Sequence, residues 1–191
     1  MSIATAKQLI LTPQEYLLGE QVSEIQHEYI DGEVYAMARG SDAHARISLN
    51  IAVLLKNKLR GSGCSIYLGE MKAQVGDSKY FYPDVMVTCH PNDLKSNYTK
   101  QHPKLIIEVL SVSTEGYDRG KKFEYYRQLP SLEEYVLIEQ SEYHVDIFRK
   151  NVQQRWELFS FSGQSTQVYL AGWDFWVAMS ELYEDVNFTL A

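Results

Sequence analysis

Apolar residues recur at helical spacing in one long stretch and cluster in short runs elsewhere. Ile47, Ile51, Leu54, Leu55 and Leu59 form a single stripe, which predicts a long helix. Ser41 or Asp42 can cap it, and it should run to about Arg60, closed by Gly61. His44 falls on the same side as Ile47 and Ile51, so it is expected to face inward. Upstream, Thr12-Pro13-Gln14-Glu15 reads as a capping box with proline in the first turn, opening a short helix that ends near Gly19. Asp31-Gly32 separates Glu28-Tyr29-Ile30 from Glu33-Val34-Tyr35-Ala36-Met37, the signature of a tight hairpin.

Three strands are expected next, at Ser65–Val75, Tyr80–Thr88 and Lys104–Leu110. The second and third are apolar on both faces, as strands sandwiched between layers are. A helix from about Asp118 to Leu129 follows, stopped by Pro130. Glu134–Glu139, Tyr143–Arg149 and Gln154–Phe161 read as strands, and Phe175–Asp185 as a short helix. Neighbouring strands with a helical crossover before the last core strand predict an α/β or α+β mixed sheet with helices packed on it. A length of 191 residues fits one domain, with a core at about 41–140, an N-terminal hairpin and a C-terminal antiparallel β extension.

Composition narrows the function. The net charge of −7 works against a broad phosphate-binding surface. It leaves room for a carboxylate site whose metal ion reverses the local sign. Cys64 and Cys89 lie in no CxxC pair, which argues against a thiolate zinc site and leaves one disulfide open. The start of the chain lacks the features of a signal peptide, and no apolar run approaches the ~20 residues of a membrane span, so a cytoplasmic protein is expected. The C-terminal aromatics, Trp156 and Trp176 among them, suit either a β covering or a dimer interface.

Two acids sit inside apolar runs: Asp84 within Tyr80–Val87 and Glu108 within Leu105–Leu110. Burying an unpaired carboxylate costs several kcal/mol as an order of magnitude, so each needs a salt bridge, hydrogen bonds or a metal. Separate ion pairs with Arg or Lys would satisfy them. Convergence on one Mg²⁺ or Mn²⁺ would also, because those ions prefer oxygen ligands. In Asp118-Arg119-Gly120-Lys121-Lys122, Asp118 and Lys122 share a helix face. Periodicity does not choose between Lys121 and Lys122 as the basic partner.

Taken in order, Pro83-Asp84, Glu108-Val109-Leu110-Ser111, Asp118-Arg119-Gly120-Lys121-Lys122, Tyr126 and Leu132-Glu133-Glu134-Tyr135 resemble the Uma-two family, within the PD-(D/E)XK nuclease superfamily. The likeness extends upstream through Glu28–Glu33 and His44, and spans roughly residues 10 to 185. It implies a restriction-endonuclease-like core and a Mg²⁺- or Mn²⁺-dependent endonuclease acting on DNA, with a homodimer as a further implication. By that resemblance Asp84 and Glu108 are the catalytic metal-binding acids, joined by the Val109 carbonyl. The motif's lysine, two residues after the acid, is Leu110 here, and the likeness moves that role to Lys122. Glu28 is a candidate third acid, His44 a candidate contact from the helix start, and Gln74 a candidate for orienting a water or Lys122. The alternative is a catalytically inactive nuclease fold used for binding or assembly, which the acidic balance and the displaced lysine favour.

Overall fold

The computed structural model describes residues 10–38, 40–111 and 113–188. Its centre is a six-stranded sheet ordered β11-β10-β9-β8-β6-β3. These strands are β3 (Ser65–Leu68), β6 (Val85–Thr88), β8 (Pro103–Leu110), β9 (Glu134–Glu139), β10 (His144–Lys150) and β11 (Trp156–Ser162). Only β8 and β9 run parallel; the other neighbours are antiparallel. A parallel pair needs a crossover. Here it is a helical segment built from α4 (Glu115–Tyr117), a π-helical turn (Asp118–Lys122) and α5 (Phe123–Tyr126).

The sheet is covered on both faces. Helix α2 (Asp42–Lys58), capped by Ser41, lays Ile47, Ile51 and Leu55 on Val85, Val87, Leu105 and Ile107. The other face carries Met86, Ile106, Leu110, Tyr135 and Leu137, packed on Tyr126 and Phe81. Alternation along β8 therefore places Glu108 on the second face, between Ile106 and Leu110.

A second sheet, ordered β2-β1-β5-β4-β7, holds β1 (His27–Ile30), β2 (Glu33–Ala36), β4 (Lys72–Val75), β5 (Lys79–Phe81) and β7 (Thr99–Lys100). The β1–β2 hairpin turns at Asp31 and Gly32, both at positive φ, as the Asp-Gly pair predicts. Helix α1 (Pro13–Glu20) begins with the expected capping box of Thr12 and Glu15. Tyr16 from α1 stacks on Tyr29 of this sheet.

The structure corrects the expected boundaries in four places. Ser65–Val75 is two strands, because the chain leaves the central sheet at β3 and enters the second at β4, turning through Gly69 at positive φ. Tyr80–Thr88 is likewise divided into β5 and β6 at Tyr82-Pro83-Asp84, where proline has no N–H to give a ladder. The predicted helix 118–129 starts earlier, at Glu115, widens into the π turn, and loses α-helical form after Tyr126. Phe175–Asp185 is mostly not helical: β13 (Phe175–Ala178) pairs with β12 (Gln167–Leu170), and only Met179–Leu182 forms α6. The short α3 (Pro91–Lys95) and β7 have too few residues to show a period. Cys64 and Cys89 form a disulfide beside the Ser65–Thr88 pair of β3 and β6. No described helix is long and apolar enough to cross a membrane.

Candidate active site

The site lies at the carboxyl end of β8, where Pro83 has ended the ladder with β6. Extending the β6–β8 register, in which Val85 faces Ile107, sets Asp84 opposite Glu108. The two acids are tied reciprocally. The Asp84 N–H donates to Glu108 Oε2 at 3.4 Å, and the Val109 N–H donates to Asp84 Oδ2 at 2.7 Å. A strand residue directs its N–H and C=O to the same side. The Val109 carbonyl therefore faces the gap that Asp84 occupies.

Lys122 closes the group from the crossover. Its Nζ lies 3.1 Å from Glu108 Oε1, 3.0 Å from Glu28 Oε1 and 3.5 Å from Asp118 Oδ1. All four side chains are buried. The Tyr126 hydroxyl, one turn beyond Lys122, also donates to Glu108 Oε1 at 3.1 Å. The π turn coincides with this cluster, holding Asp118 and Lys122 at its two ends. Such insertions concentrate at functional sites because they re-aim side chains that a regular helix would misplace.

His44 reaches in from the first turn of α2, with Nε2 3.0 Å from Asp84 Oδ2. It faces the site as expected, yet it and Asp84 keep 22% and 17% of their side chains exposed. They are the most exposed members of the cluster, whose residues together line a cleft of about 580 Å³ with Tyr35, Tyr117 and Gln140.

Charge in the cluster is unbalanced: Glu28, Asp84, Glu108 and Asp118 face Lys122 and His44. Burial pushes the Glu108 carboxyl well above the usual carboxylate range, and Lys122 offsets this only in part. Burial raises Asp118 in the same way. For Lys122, burial acts downward, but Glu108, Glu28 and Asp118 outweigh it and hold the ammonium well above its usual range. Lys122 is therefore a fixed positive charge. Burial lowers His44, and its hydrogen bond to Asp84 with the charge there more than reverses that.

The structure thus brings Asp84, Glu108, Lys122, Glu28 and His44 together. It separates the two lysines: Lys121 points outward and pairs with Glu124 at 2.9 Å. Gln74 stands apart from the group, donating to the Gly76 carbonyl and accepting from Gln101. Asp118 and Tyr126 had no site role in the sequence. Their signal was spacing, since Asp118, Lys122 and Tyr126 recur every four residues. Among the described residues, no three His, Cys, Asp or Glu side chains are gathered as a ready-made metal cage.

Comparison with known proteins bears on this geometry. The profile of the Uma2 family, described as "Putative restriction endonuclease", matches residues 13–180. This chain belongs to the Uma2 family. It is 41% identical over 152 residues to the protein slr1290 of Synechocystis sp., covering 79% of this chain and 80% of that one. It is 36% identical over 171 residues to sll1609 of the same organism, covering 88% and 96%. Its fold matches a crystal structure from Anabaena variabilis, titled a putative nuclease belonging to DUF820, with TM-score 0.74 and 18% identity over 91% of this chain and 97% of that one. That likeness fixes the Uma2 chain's architecture as a mixed α+β fold with mixed sheets. The matched residues 13–180 contain the whole cluster, from Glu28 to Tyr126.

Proposed function

We propose that this chain is a metal-dependent endonuclease that hydrolyses phosphodiester bonds of DNA, with Asp84, Glu108 and Lys122 at its centre. The observation that carries the reading is the reciprocal tie of two carboxylates beside one buried lysine. The family description agrees with it.

The donor set fits a hard divalent cation. Asp84, Glu108 and the Val109 carbonyl are all oxygen donors, and the cluster carries more acids than bases. In this reading those three hold Mg²⁺ or Mn²⁺. When bound, the ion supplies Lewis acidity and a water acidified toward neutral pH. The chain's own residues do the rest. Glu28 and Asp118 keep Lys122 charged and aimed at Glu108. The Lys122 charge offsets negative charge growing on the phosphate oxygens, an electrostatic role that needs neither a direct contact nor proton abstraction. Its raised proton affinity argues against its serving as the base. His44 positions the Asp84 carboxylate from the side that faces the cleft.

The test is to incubate the protein with single-stranded and duplex DNA, and with RNA, in Mg²⁺, Mn²⁺ or EDTA. Metal-dependent cutting of DNA that Lys122→Met abolishes is the expected result. Cutting that persists in EDTA, or that ignores Lys122→Met, would refute the reading. No cutting on any substrate would favour the inactive, binding alternative.

A further inference from the structure

A second cavity of about 690 Å³ adjoins the cleft on the other side of Glu28. The two share Glu28, Tyr35, Ser113, Thr114 and Tyr117 as a common wall, so they are immediate neighbours. The hairpin contributes Tyr35 and Ile30 to it, and the helical crossover contributes Tyr117, Lys121 and Tyr125.

The aromatic walls are of different kinds. Tyr125 is a supported plate: it stacks on Phe81 at 5.6 Å, and Lys79 Nζ lies 5.5 Å from its ring. Tyr35 is 47% exposed, on a hairpin strand, with its hydroxyl bonded to Glu33. The Tyr117 hydroxyl is buried without a hydrogen-bond partner among the described residues. A buried hydroxyl left so costs free energy that a polar ligand atom can recover.

Charge decides what such a cavity can hold. Lys121 is its only lysine or arginine among the described residues that line it, whereas Glu28, Asp31 and Glu33 are all present. In the cleft, Lys122 is already engaged by three acids. Among the described residues, the lysines and arginines on the two cavities are therefore few for holding a nucleic acid by its backbone alone. Ring stacking is a second source of affinity, and it acts on any base that is free of its own partner.

We propose that this cavity binds an unpaired nucleobase next to the scissile phosphate, stacked against Tyr35 or Tyr125, with Lys121 on the neighbouring phosphate. The substrate class is then single-stranded DNA, or duplex whose base at the cut is extruded. This rests on the reading of the adjoining cleft as a phosphodiester-cleaving site.

The experiment uses the full chain and two fluorescein-labelled short DNA strands, one normal and one of the same length built from abasic units. Binding is followed by anisotropy in Ca²⁺, and cutting separately in Mg²⁺. The normal strand is expected to bind roughly tenfold or more tighter than the abasic one. Tyr35→Ala or Tyr125→Ala should remove most of that difference, and Phe at the same position should retain it. Equal affinity for the two strands, no binding of either, or an unchanged difference in both Tyr35→Ala and Tyr125→Ala overturns the subsite. Base-dependent binding without any cutting would keep the subsite and sink the nuclease. Cutting that treats normal and abasic strands alike would do the reverse.

Discussion

Replacing Lys122 by methionine removes the one lysine from a buried acidic cluster while keeping much of its aliphatic bulk. The ammonium lies 3.0, 3.1 and 3.5 Å from oxygens of Glu28, Glu108 and Asp118, whose side chains are 11%, 3% and 5% exposed. Removing one partner of a buried ion pair costs about 3–5 kcal/mol, and here one cation serves three acids, so the upper part of that range is expected. With a urea slope of roughly 2 kcal/mol/M, the unfolding midpoint should fall by about 2 M. Glu108→Gln is the matched control. It removes one acid from an excess and leaves Lys122 with Glu28 and Asp118, so its cost should be about 1 kcal/mol or less. The pH dependence follows from sign. Acids whose folded pKa is raised stabilise the fold below their unfolded value and lose that contribution as pH rises through the folded one. The deficit of Lys122→Met should therefore grow as pH rises above the ordinary carboxylate range of about 4. Urea unfolding followed by tryptophan fluorescence reads all of this. A Lys122→Met midpoint no lower than that of Glu108→Gln at pH 8, or a deficit larger at pH 5, would refute the reasoning.

Three other outcomes follow from the geometry. Asp93 is buried and accepts from Thr88 Oγ1 and from the backbone N–H groups of Gln101 and His102. Burial pushes it up, yet those bonds together hold it below the usual carboxylate range. Its contribution is thus present above the unfolded pKa and lost as pH falls through the folded one. Asp93→Asn should cost about 1–3 kcal/mol at neutral pH, and the difference from wild type should shrink below about pH 4 in acid-unfolding curves. Reducing Cys64–Cys89, which spans 25 residues, should lower stability by about 3 kcal/mol in denaturant titrations with and without reductant. Gly32 sits at φ +105°, and an added Cβ would lie 2.3 Å from the Ile10 side chain. Gly32→Ala should therefore cost about 1 kcal/mol or more by thermal melting.

Much of this arrangement is legible in the amino-acid sequence itself. The α2 stripe, the Thr12 capping box and the Asp31-Gly32 turn are local, and local rules suffice for them. The pairing of Asp84 with Glu108 was legible only as two acids in apolar surroundings. What the sequence hid was tertiary in origin. The departure of β4 and β5 into a second sheet depends on which neighbours pair, and apolar runs on both sides of Pro83 read as one strand. The choice of Lys122 over Lys121 needed the π turn, because a regular helix leaves their relative aim undecided. Gln74 was placed near the site by adjacency in sequence, and the sheet change carries it away.

In the proposed function Asp84 and Glu108 form one hydrolytic centre. The most direct measurement compares wild type, Asp84→Asn and Glu108→Gln, each verified as folded by circular dichroism, for the rate of DNA cleavage in saturating Mg²⁺ or Mn²⁺. Wild type is expected to cut, and each variant to lose activity on the order of 100-fold or more. A folded variant that cuts at the wild-type rate would contradict this reading, as would a wild type that cuts nothing with either metal.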